Sequence, residues 1–318
     1  MIGHLSRIFD PDLGDCHKNP DCPSNTEKHE IGVKMDIFER HRQRLMGIAY
    51  RMLGTRSNAE DILQDAYVKW MQSDTAELRS PEAWLVTVVT RLCIDRLRLA
   101  KAEREHYVGE WLPEPWVSDH APAAEHPIEM ANDLSIAFLV VLERLSPEER
   151  AAFLLKEVFE FEYAEIAQMI GKNVEACRQL VHRARGRVKE GRPRFEVSRQ
   201  AHLLLLKRFM EAARTGDMEK LKALFAEDIS LTGDGGGKVP SVLRPLHGAE
   251  RVAKLYYAIS RRYQGRMDFR ISEINDIPGI IRHVDGKLDS AVSLVTDGVR
   301  ILEIYIVRNP EKLKSVTY

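Results

Sequence analysis

The chain has 318 residues, 44% of them apolar and 30% charged, a composition that fits a folded multidomain protein and excludes a disordered one. Lys plus Arg total 47 against 48 for Asp plus Glu, so the net charge of −1 excludes a uniformly basic coat for nucleic acid and leaves room for local patches. No apolar run approaches the roughly 18 residues of a membrane span, and the N-terminus lacks the apolar core of a signal peptide, so a cytoplasmic protein without membrane contact is expected.

Residues 1–34 read as a flexible N-terminal extension, and Met35 is a second candidate start. Cys16 and Cys22 lie beside His17 and His29, but the spacing matches no strong zinc template, so no metal site is expected. Cys93 and Cys177 sit singly in helical patterns as small buried thiols. From residue 35 to 107 the pattern is helical. Ile37, Phe38, Leu45, Ile48, Ala49 and Met52 mark a first helix ending near Gly54. Ser57 to Glu60 reads as a capping box opening a second helix, and Ser80-Pro81 opens a third.

Residues 108–135 carry Pro113, Pro115, Pro122 and Pro127 and six acidic residues without Lys or Arg, which predicts an extended acidic linker. Trp111, Leu112 and Trp116 are too apolar for a solvated linker and predict that it docks. Residues 136–198 are helical again. Ser146-Pro147-Glu148-Glu149 is a helix start, and a short helix, Gly171-Lys172-Asn173 and a longer helix from Val174 form a helix-turn-helix pattern. In the last helix Val174, Cys177, Val181, Ala184 and Val188 form an apolar stripe. The opposite side bears Arg178, Gln179, His182, Arg183, Arg185 and Arg187, and nine basic against three acidic residues lie between Lys172 and Arg199. A basic face alone is common on solvated helices. Preceded by the Gly turn and the short helix, it predicts duplex DNA binding. Arg178 and Gln179 are then placed for base edges, and Arg185 and Arg187 for phosphates. Residues 199–318 mix helices near 202–215, 217–226 and 249–261 with β-like segments, which predicts an α+β domain.

Three segments carry a resemblance. AEDILQDAYVKWMQ (Ala59–Gln72), SPEAWLVTVVTRLCIDRLR (Ser80–Arg98) and the stretch from LSPEERAAFLL at Leu145 to EACRQLVHRARGR at Arg187 resemble, in order, the extracytoplasmic-function sigma factors of the sigma-70 family. WLPEP (Trp111–Pro115), DGGGK (Asp234–Lys238) and NPEKL (Asn309–Leu313) resemble the marks of a subgroup with a fused SnoaL-like C-terminal cone. The resemblance implies two all-α sigma domains, region 2 at 35–107 and a region 4 helix-turn-helix at 136–198, followed by an α+β SnoaL-like cone at 199–318.

It also implies a non-catalytic specificity subunit that binds core RNA polymerase and promoter DNA. The cone would regulate it in cis, so that no separate anti-sigma protein is required. Asp61, Gln64 and Asp65 are implied to meet the polymerase. Arg91, Asp95 and Arg98 would meet the −10 element, with the loop Asp74–Ser80 holding a flipped base. Arg178, Gln179, His182, Arg183, Arg185 and Arg187 would meet the −35 element. Leu92 and Cys93 are apolar where many of these factors have Asn, so details of −10 reading do not carry over.

Trp111, Leu112, Pro113, Glu114 and Pro115 are expected to dock against Asp234, Gly235, Gly236, Gly237 and Lys238, with Lys238 pairing Glu110 or Glu114. The P-loop pattern is absent, so DGGGK reads as a tight turn without a bound nucleotide or other cofactor. Two other readings concern the cone. Asp228, Asp234 and His247 are its acid/base candidates if it is a cyclase- or isomerase-like enzyme. Alternatively its apolar pocket takes an unknown small ligand.

Overall fold

The computed structural model describes residues 25–74, 80–118, 135–190 and 197–316. The N-terminal cysteines, most of the loop after Asp74 and the linker beyond Ser118 lie outside these residues. Among the described residues, seven helices form the N-terminal half: α1 (Asn25–Leu53), α2 (Arg56–Gln72), α3 (Pro81–Arg104), α4 (Ile136–Leu142), α5 (Pro147–Glu157), α6 (Tyr163–Ile170) and α7 (Val174–Glu190). α1 begins at Asn25, well before the expected start, because the Lys34 turn has tertiary partners. The Lys34 ammonium donates to the carbonyls of Met71 and Ser73 (3.3 and 2.7 Å), satisfying the C-terminus of α2. The Trp70 indole N–H donates to Lys34 O at 2.8 Å.

The expected capping box at α5 is present, with Ser146 and Glu149 bonding each other's backbone N–H at 3.3 and 3.0 Å. The one expected at Ser57 is not. α2 starts at Arg56 after Thr55, whose side chain makes no cap. The cap arrives instead from the linker: a Glu114 oxygen accepts the Arg56 N–H at 2.9 Å.

The two helical blocks share one apolar core. Phe38, Tyr50, Leu63, Trp70 and Val89 belong to the same cluster as Phe153, Leu154, Ile166 and Val181. Arg150, buried on α5, crosses between them by donating to Met52 O (2.6 Å) and Glu143 (2.7 Å).

The C-terminal half contains α8 (Arg199–Thr215), α9 (Met218–Leu224) and α10 (Ala249–Arg262) with strands β2 (Phe225–Asp234), β3 (Leu246–His247), β4 (Met267–Ile274), β5 (Ile277–Val284), β6 (Lys287–Thr296) and β7 (Ile301–Val307). A further strand, β1 (Val117–Ser118), comes from the linker, and the seven-stranded order is β1-β4-β5-β6-β7-β2-β3. β2 and β7 are parallel and the other pairs antiparallel. Side chains alternate across the sheet. Ile280, Val292, Ile304 and Ile306 pack with Leu205, Phe209 and Tyr256 of the helices. Their neighbours Ile281, Ala291, Tyr305 and Val307 pack on the other face with Leu112, Ile136, Leu313 and Val316. The outer face of the cone is therefore closed by the linker and by the first residue of α4.

Candidate nucleic-acid interface and linker lock

The α6–α7 turn is built by Gly171, which adopts φ 67° at the end of α6, and by Asn173, whose side-chain oxygen accepts the Ala176 N–H at 2.7 Å. Leu180 joins Cys177, Val181, Ala184 and Val188 in the buried stripe, while Val174 is only half-buried. The expected DNA-facing residues divide. Arg178, Gln179 and His182 are exposed, with Arg178 only loosely paired to Glu175 at 3.5 Å. Arg183 and Arg187 reach Glu149 on α5 (3.4 and 2.5 Å), and Arg185 pairs Glu157 at 2.7 Å. α5 thus holds one end of the basic face, and the N-terminal end stays open.

On α3 two of the three residues expected at the −10 element, Arg91 and Arg98, are engaged by the second helical block, while Asp95 is exposed and, among the described residues, pairs only with Arg98. Arg91 donates from Nε to Met169 O and from Nη2 to Gln168 O, both at 2.8 Å, filling the orphan carbonyls at the end of α6. Arg98 donates to Asp95 at 3.0 Å and to Glu148, at the start of α5, at 2.6 Å. The residues expected to meet polymerase are unobstructed: Asp61, Gln64 and Asp65 form an exposed face of α2 beside Val68, which is 52% exposed.

The docked linker joins all the parts. Asp234, at the end of β2, is wholly buried. It accepts from Tyr107 Oη (2.6 Å), the Leu112 N–H (2.9 Å), the Gly236 N–H (3.0 Å) and Lys312 Nζ (2.6 Å). Lys312 also donates to Leu112 O at 2.5 Å. Burial pulls its pKa down to about 8, against the opposing pull of Asp234. Burial and the Asp234 carboxylate push the Tyr107 phenol up. The Trp111 ring lies between two cations, with the Arg104 guanidinium 3.8 Å and the Lys312 ammonium 4.0 Å from its centroid.

Gly54, at φ 69°, leaves room for that ring: a Cβ there would stand 2.9 Å from Trp111. Gly236 is equally constrained, since a Cβ would meet Asn309 at 2.3 Å. Glu114 is 5% exposed; besides capping α2 it accepts from Ser315 Oγ at 2.7 Å, and its carbonyl accepts from Tyr50 Oη at 2.7 Å. Pro113 and Pro115 are buried beside it. Trp116 N–H donates to Asn275 Oδ1 at 3.1 Å, and Asn275 Nδ2 donates to Tyr50 Oη at 2.5 Å.

Two expectations are corrected. Lys238 pairs with Glu311, not with Glu110 or Glu114, because the glycine turn aims it at the NPEKL segment. The cone's acid/base candidates do not converge, since Asp228 and His247 are exposed while Asp234 belongs to the lock. Tyr50, Arg104, Tyr107, Asn275 and Ser315 were not expected in the lock. Asn275-Asp276, both with positive φ, is a turn signal that locates Asn275, but nothing in its spacing points to Trp116.

Residues 37–103 match Sigma-70 region 2 and residues 135–188 match Sigma-70, region 4. The chain is 40% identical over 291 residues to the ECF RNA polymerase sigma factor SigJ of Mycobacterium tuberculosis, covering 88% of this chain and 93% of that one. It is 29% identical over 277 residues to the probable ECF RNA polymerase sigma factor SigI of the same species, covering 86% and 92%. The crystal structure of SigJ superposes with a TM-score of 0.71 at 33% identity, over 88% of this chain and 98% of that chain. The chain belongs to the extracytoplasmic-function RNA polymerase sigma factors, and carries, after its region 2 and region 4 helices, a C-terminal α+β domain.

Proposed function

We propose that the chain directs promoter-specific initiation by core RNA polymerase and that the arrangement described above is its closed state, held in cis by the cone. One observation carries this reading: Arg91 and Arg98 are bonded to α6 and α5 while the Asp61, Gln64 and Asp65 face is exposed. Region 2 DNA contacts and region 4 packing use the same arginines, so α3 engages DNA only after the second block leaves it. Polymerase has an open face to bind first, and its binding shifts the equilibrium toward the separated form.

The cone sets this equilibrium through the linker, since the WLPEP segment touches α1, α2 and the cone together. One solved sigma factor, RpoE of Bartonella quintana, is in complex with a separate anti-sigma factor, NepR. Here the contacts that close α3 come from the chain itself, and the expectation that no separate anti-sigma protein is required is withdrawn. No described helix is long and apolar enough to cross a membrane, which is compatible with action beside the polymerase in the cytoplasm.

The test compares the full-length chain, Trp111→Ala and a form ending near residue 198. All three should co-elute with core polymerase, and both altered forms should change promoter-directed transcription in the same direction. A full-length chain and truncated form that both fail to co-elute would refute the sigma reading. Unchanged transcription in both altered forms would refute control by the cone.

A further inference from the structure

We infer that a cavity beside the linker lock binds a small organic carboxylate with a short apolar body. The cavity measures about 230 Å³ and lies between β6, the end of β7 and the NPEKL segment. At about 30 Å³ per water-sized group it holds on the order of seven such groups, enough for a short acid.

Its walls are of two kinds. Val239, Leu288, Pro310 and Leu313 give it an apolar side. Asp289, Arg308 and Lys314 give it a polar one. The charge on the polar side is not balanced. Asp289 accepts from Arg282 through Nε at 2.9 Å and Nη2 at 2.5 Å, and from Arg308 Nη2 at 2.7 Å. Burial pushes the Asp289 carboxyl up, but the two guanidiniums outweigh it and keep the group ionised. One carboxylate thus serves two guanidiniums, and a positive charge is left over. Lys314, exposed at the rim, adds another, while Glu311 nearby is taken by Lys238. Four apolar walls next to surplus positive charge select an anion with a carbon chain over a bare one.

The cavity shares its floor with the lock. Pro310 and Leu313 flank Lys312, which holds Leu112 O and Asp234, and the Arg308 backbone N–H donates to Asp234 O at 2.7 Å. A ligand packed on this segment stabilises the geometry that docks the linker, and so favours the closed state. This regulatory half rests on the cis control proposed above. The binding half does not.

The test is calorimetric titration of the full-length protein with sodium hexanoate, with inorganic phosphate as the comparison. Saturable binding at one site is expected, weakened at least about tenfold by Lys314→Glu, a substitution at an exposed position, and also by Arg308→Gln. Absence of saturable binding, binding unchanged in both variants, or displacement of hexanoate by an equal concentration of phosphate would each overturn the assignment, the last by showing a site for anions of any kind. Transcription with core polymerase is the second arm. Hexanoate should lower it in the unsubstituted protein and not in Lys314→Glu. Binding without that effect overturns the coupling, and lack of transcription without hexanoate indicts the sigma reading instead.

Discussion

Glu114 joins three parts of the molecule with one side chain and its own carbonyl. Its carboxylate caps α2 and accepts from Ser315 of the cone, while its carbonyl accepts from Tyr50 of α1. Loss of a helix cap costs about 1 kcal/mol. Glu114→Ala should exceed that, because Ser315 also loses its acceptor, and thermal unfolding checks it. Lys312 makes the lock sensitive to pH in a direction opposite to that of an ordinary ion pair. Its folded pKa is about 8, below that of a free lysine. The undocked state therefore binds the proton more tightly between about pH 8 and the ordinary lysine value near 10.4, so this group makes docking more favourable as pH rises through that window. Below it the cost of burying the ammonium is present in full. Trp111 fluorescence or thermal unfolding across the window should show this rise, and Lys312→Met should flatten it.

At the scale of single helices, α7 is divided by its partners. Arg178 and Gln179 face solvent, and Arg185 and Arg187 rest on carboxylates of α5. Arg178→Ala should cost about 1–3 kcal/mol in DNA binding and relax preference at one position of the −35 element. Arg185→Ala should weaken all sequences alike and flatten the salt dependence. Binding to a set of mutated promoters separates the two. The exposed Arg178–Glu175 pair adds under about 1 kcal/mol to stability, so the effect of Arg178 is read in binding and not in folding. On α3, Glu148→Gln removes the charge that holds Arg98 without altering a residue expected at DNA. It should raise affinity for promoter DNA in the absence of polymerase, and a gel-shift titration measures the rise.

The whole molecule is closed by apolar contact more than by charge. The sheet is covered on one face by α8 and α10 and on the other by Leu112 and Ile136, both nearly inaccessible. Burying one such side chain contributes about 1.5–3 kcal/mol, more than the exposed Lys238–Glu311 pair supplies. Gly54→Ala strikes this closure from the far side, since it strains a left-handed position and drives a Cβ into Trp111. The strain costs about 1–3 kcal/mol. The variant should undock the linker and expand the particle in solution scattering, as Trp111→Ala should. A free protein whose cone already tumbles independently would refute the docked arrangement.

Much of the architecture was legible in local pattern. The cap at Ser146, the Gly171 turn and the stripe of α7 follow from spacings that one helix imposes on its own residues. The apolar WLPEP segment in an acidic stretch revealed that the linker docks, because tryptophans gain nothing in water. Where it docks was not legible. β1 has two residues and no period to read; it exists because β4 offers an edge. The Ser57 box was misleading because a carboxylate distant in sequence reached the helix start first. Arg91 and Arg98 look like DNA ligands in sequence, and only the packing of α3 on α5 and α6 shows that the protein itself occupies them. Residue type and spacing determine which chemistry each segment can perform, whereas contacts between segments far apart in the chain decide which groups are free to perform it.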